Sequence, residues 1–80
     1  MVFLATSRRG YEAYISLNSG GALWVSAGIL SPHELSDLRA RGYSVTNFSY
    51  AIGQDDRDTM LDALSTIREH HPEETLWIEA

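Results

Sequence analysis

One segment constrains this chain more than any other: Leu30-Ser31-Pro32-His33-Glu34-Leu35. Ser31 with Glu34 three residues on has the form of a capping box. The serine hydroxyl accepts from the N3 amide, and the glutamate reaches back to the serine amide. Pro32 fits the first helical position, whose amide has no partner within the helix in any case. Leu30 and Leu35 have the spacing of a hydrophobic staple, Leu35 and Leu38 share one helical face, and Gly42 stands where a C′ glycine closes a helix. The pattern predicts a helix over 32–41.

Such a helix must bury its apolar stripe, and the flanking segments supply the surface. Residues 22–27 (Ala-Leu-Trp-Val-Ser-Ala) are almost continuously apolar and read as a central strand. Residues 43–50 (Tyr-Ser-Val-Thr-Asn-Phe-Ser-Tyr) are rich in β-formers and read as another. Strand, helix and strand make a βαβ unit, whose strands are expected to be parallel and its crossover right-handed. A second unit follows. Asp55 or Asp56 caps a helix over 56–71, Met60, Leu61, Leu64 and Ile67 recur on its inner face, Pro72 stops it, and 75–79 (Thr-Leu-Trp-Ile-Glu) form the last strand.

The front half reads differently. Residues 2–6 (Val-Phe-Leu-Ala-Thr) make a strand, and Ser7-Arg8-Arg9-Gly10 a tight turn. Over 11–17 the residues alternate, with Tyr11, Ala13, Ile15 and Leu17 on one face and Glu12, Tyr14 and Ser16 on the other, as in a half-buried antiparallel strand. Asn18-Ser19-Gly20-Gly21 makes the next turn. The expected order is β-β-β-α-β-α-β in a single domain over 1–80. This is an α+β protein with an α/β-like second half, built as two layers: a mixed five-stranded sheet with both helices on one face.

Composition narrows the function. The 80 residues contain no cysteine, which removes disulfides, thiolate catalysis and cysteine-ligated zinc, and favours a cytoplasmic setting. No apolar run approaches the roughly 20 residues that cross a bilayer. The net charge is −5, so general nucleic-acid binding is not expected, whereas docking onto a protein is compatible with the balance. Neither a G-x-S-x-G motif nor a Ser–His pairing suited to nucleophilic catalysis is present. Adjacent His70 and His71 lack the i, i+3 or i+4 spacing that puts two ligands on one helix face, so neither metal nor cofactor is expected.

Two surfaces remain as candidates. With helices on one side only, Tyr14 and Trp24 would lie on the bare side of the sheet, and exposed aromatics mark partner surfaces. Arg8 and Arg9 at the hairpin tip would join them. The expected function is therefore a small acidic, non-enzymatic interaction module, a regulator or inhibitor that binds a protein partner or itself. The alternative is a small enzyme or ligand-binding domain. It would take an anionic or phosphate-containing ligand at the two loops preceding the helices, through Ser26, Gly28, Ser31, Asp55 and Asp56.

Overall fold

The computed structural model describes residues 1–17, 21–53 and 55–79. Its elements are β1 (Val2–Ala5), α1 (Arg8–Leu17), β2 (Ala22–Val25), α2 (Pro32–Ala40), β3 (Val45–Asn47), α3 (Arg57–His70) and β4 (Leu76–Glu79). The four strands form one sheet in the order β3-β2-β1-β4, and every pairing is parallel. The turn expected over 18–21 lies outside the described residues except for Gly21.

The fold is thus a small assembly of helices and parallel strands, but the front half departs from expectation. Residues 8–17 are a helix, not a turn and an antiparallel strand, so the sheet has four strands and is not mixed. The physical reason lies in the spacing. Gly10, Tyr11, Tyr14 and Ile15 fall on one helical stripe, with Gly10 and Tyr14 buried and Tyr11 and Ile15 packed against the same cluster. Ser7 starts the helix, its hydroxyl accepting from the Gly10 amide at 3.0 Å and its carbonyl from the Tyr11 amide at 3.1 Å. Leu17, placed on the inner face by the alternation, is 57% exposed.

Layering follows from the direction of the crossovers. From β1 to β2 to β3 the chain steps one way across the sheet, and α1 and α2 both lie on the face that carries Phe3, Ala5, Leu23, Val25 and Val45. From β3 it returns past β2 and β1 to reach β4. If all three crossovers share one hand, the reversed step needs the opposite face. There α3 packs Ala63 and Ile67 against Val2, Leu4 and Trp24. Three layers result in place of two, and no face of the sheet is bare.

The second half keeps the expected order of strands and helices, although β3 covers only Val45–Asn47 of the expected 43–50 and β2 ends at Val25. Ser31 and Glu34 make both bonds of the capping box, each at 3.1 Å. The far end is a Schellman closure: Gly42, at φ +93°, donates to the Arg39 carbonyl, and Tyr43 donates to Leu38. Asp56 caps α3 by accepting from the Thr59 amide at 3.1 Å. Of the expected stripe only Leu61 fails, at 53% exposed; Ile67 is buried beside Ala63, and Met60 and Leu64 pack against the same cluster.

Gly21 marks the tightest approach. A Cβ at this position would stand 2.6 Å from the Met1 carbonyl oxygen, which accepts from the Ala22 amide as β1 meets β2. Gly21→Ala is expected to destabilise the protein by about 1–3 kcal/mol, because backbone cannot move aside as a side-chain tip can. Denaturant unfolding reads this directly, and an unchanged midpoint would contradict the close approach.

Candidate functional site

The aromatic residues singled out in the sequence are not on the surface. Tyr14 is 2% exposed and lies inside the α1–α2 side of the core, its ring edge-on to Phe3 at 5.1 Å and its hydroxyl donating to the Gly21 carbonyl. Trp24 is 6% exposed and packs beneath α3 against Phe48, with ring centroids 5.4 Å apart, and against His70 at 5.3 Å. Each occupies the opposite face from the other, and each face has its own helical cover. Neither is available to a partner.

Arg8 and Arg9 stand in the first turn of α1, not at a hairpin tip. Arg8 is engaged within the molecule. It pairs with Glu34 at 2.7 Å, donates to the Ile29 carbonyl and lies over the Tyr11 ring. These contacts tie α1 to the start of α2. Arg9 is exposed.

The alternative ligand residues are largely occupied by structural tasks. Ser26 is 3% exposed, and its hydroxyl accepts from the buried Ile52 amide at 2.8 Å. With the bond from the Ala27 amide to the Tyr50 carbonyl, it joins the loops that follow β2 and β3. Gly28 takes φ +85°, a conformation L side chains resist. Ser31 and Asp56 are helix caps. Asp55, Asp56 and Asp58 line only a shallow, open depression with Gly53 and Arg57. Among the described residues no group of three or more His, Asp or Glu is placed to hold a metal ion.

Removing the Ser26 hydroxyl would strand the Ile52 amide in an apolar setting. Ser26→Ala is expected to cost about 1–3 kcal/mol of stability, measured by denaturant unfolding, and to speed hydrogen exchange at Ile52. Wild-type exchange at Ile52 would show that the tether is dispensable.

Electrostatics concentrate in three carboxylates. Arg8, followed by the Ser31 amide, holds Glu34 down to about 2. The Thr59 hydroxyl and then its amide lower Asp56, and the terminal amine and then His71 lower Glu74. Each group binds its proton less readily when folded, so its contribution is present above the unfolded value and is lost as pH falls. The thermal midpoint is therefore expected to hold down to about pH 4.5, where an unfolded glutamate titrates, and to decline from there towards about pH 2. Glu34→Gln should flatten that decline. A midpoint insensitive to acid would contradict the assignment.

The feature the sequence reading missed is the β4 edge. Parallel pairing with β1 sets Trp77 beside Phe3 and Ile78 beside Leu4, hence on opposite faces of the sheet. Trp77 stacks on Phe3 with centroids 6.4 Å apart and planes 19° apart, yet it remains 49% exposed, and Ile78 is 48% exposed. Leu76 is less exposed than either and packs against the α3-side core. Val2 donates to the Thr75 carbonyl, so the polar groups of 75 and 77 face β1 and those of Leu76 and Ile78 face outward. Among the described residues no side chain bonds those outward groups.

The opposite edge is treated differently. β3 has only three residues, two of them the exposed Thr46 and Asn47. Ser44 accepts from Leu23, so the Val45 carbonyl faces away from the sheet, and the Arg39 guanidinium covers it at 2.9 Å. Short length, polar side chains and a covering cation are common ways of blunting an edge. β4 has none of the three in comparable form: it is longer, and its described side chains are apolar on both faces.

Comparison with known protein families, curated proteins and solved structures finds no match for the chain. Among the described residues no helix is long and apolar enough to cross a membrane.

Proposed function

We propose that the chain is a small, non-enzymatic interaction module, a regulator or inhibitor that binds protein by adding a strand at the β4 edge. The observation that carries this reading is the coincidence at one strand of outward amides and carbonyls that no described residue bonds with two half-exposed apolar side chains, Trp77 and Ile78. Strand addition draws affinity from the main chain and specificity from side chains on either face. A Trp at the centre of such a patch is the residue type that most often dominates binding energy. The interaction class expected from composition is kept, while its place moves from the sheet face to the sheet edge.

Ile78→Pro tests the reading. Proline removes the outward amide of residue 78 without touching the bonds to β1, and an edge strand accepts it. Any complex the wild-type chain forms, with itself or with another protein, is expected to be lost in this variant while its helical circular dichroism is kept. A complex that survives the substitution, or a wild-type chain that forms none, would overturn the reading.

A second reading has one specific observation in its favour. The Thr6 hydroxyl is buried and unpartnered at the carboxyl end of β1. There the strand order reverses between β2 and β4, and open parallel sheets bind small ligands at such points. Under this reading Thr6 and the first turn of α1 contact a small anion. Inorganic phosphate and nucleotides should then raise the thermal midpoint of the wild type but not of Thr6→Val. No shift at millimolar ligand would remove the alternative.

A further inference from the structure

We infer that the strand completing the β4 edge is β4 of a second copy, paired antiparallel about Trp77. This rests on the interaction reading above and names its partner.

The register follows from the phase of the strand. A two-fold axis normal to the sheet pairs residues whose numbers sum to a constant, and directly opposed residues point to the same face. Only even sums keep matching faces together. Centring the axis on Trp77 sets Trp77 opposite Trp77 of the other copy, and Leu76 opposite its Ile78, twice over. All three apolar side chains then meet apolar neighbours. Shifting the centre to Ile78 would oppose Trp77 to Glu79, and shifting it to Leu76 would oppose Ile78 to Glu74.

The hydrogen bonding is compatible with this register, as it is with any even sum. In this register Leu76 and Ile78 form the hydrogen-bonded pairs, and these are the residues whose amides and carbonyls already face outward. Trp77 falls at the non-bonded position, where opposed side chains come closest.

Charge points the same way. Each copy carries −5, so self-association needs an interface free of opposed carboxylates. Leu76, Trp77 and Ile78 carry no charge, so the pairs formed about Trp77 oppose none. The two-fold axis also keeps α1 and α2 of both copies on one side and α3 on the other, extending the three layers across the join. The interface is small beside the roughly 800 Å² per partner of a standard complex, so the dimer should be concentration-dependent.

Sedimentation of the purified chain tests this, and the absence of native cysteine makes a single-cysteine probe clean. The expected result is a monomer–dimer equilibrium whose dissociation constant rises at least about tenfold in Ile78→Pro. If that variant loses its fold, Ile78→Lys takes its place, because it keeps the backbone and sets a charge against Leu76 of the other copy. Trp77→Cys should form an intermolecular disulfide on mild oxidation. Ile78→Cys should not, since its copies would sit beyond the roughly 7 Å that a disulfide spans between Cα atoms. Crosslinking at 78 and not at 77 would overturn the register. A purified chain that stays monomeric at millimolar concentration would overturn self-pairing; if it still formed an Ile78→Pro-sensitive complex with another protein, the interaction reading would stand without it. No complex of either kind would overturn both.

Discussion

Every other element depends on β1 pairing on both its edges. Val2, Phe3, Leu4 and Ala5 are all at or below 1% exposure, and their carbonyls and amides alternate between β2 on one side and β4 on the other. Both neighbours run parallel to β1, so neither can be joined to it by a hairpin. Parallel neighbours require crossovers, and the crossovers supply the helices that bury it. The layering, the position of both tryptophans and the identity of the two free edges follow from that one placement.

The part of the sequence read correctly is the part where local signals were redundant. Over 30–43 a staple, a capping box, a proline and a C′ glycine all specify the same helix, and each is found in place. Residues 8–17 offered no such redundancy. Over seven residues, period-two alternation of Tyr11, Ala13, Ile15 and Leu17 competes with a helical stripe through Gly10, Tyr11, Tyr14 and Ile15, and the aromatic and β-branched content favours the wrong choice. A longer-range signal was available. Two continuously apolar runs, 2–5 and 22–25, read as strands buried on both faces, and the 16 residues between them suit a helical crossover better than a hairpin.

That single misreading relocated the candidate surface. Counting only two helices left a face of the sheet bare and put Tyr14 and Trp24 on it. The unexpected helix, α1, joins α2 on one face, and α3 takes the other. What remains open is an edge, and an edge is hard to see in sequence because it depends on strand order. Nothing local distinguishes Leu76-Trp77-Ile78 from a central strand. Trp77 and Ile78 stay half-exposed because β4 is last in the order.

The guanidinium of Arg39 over the Val45 carbonyl has a consequence for how such molecules can accumulate. A sheet with two adhesive margins can recruit copies without limit and grow into filaments. Were β4 to pair with a second copy as inferred above, the covered carbonyl and polar side chains of the short β3 would leave no comparable margin to continue the sheet, and recruitment would end at the pair. On that inference arginine at position 39 would set a ceiling on assembly size from the far side of the molecule. Its loss would act on solubility at high concentration before it acted on the fold.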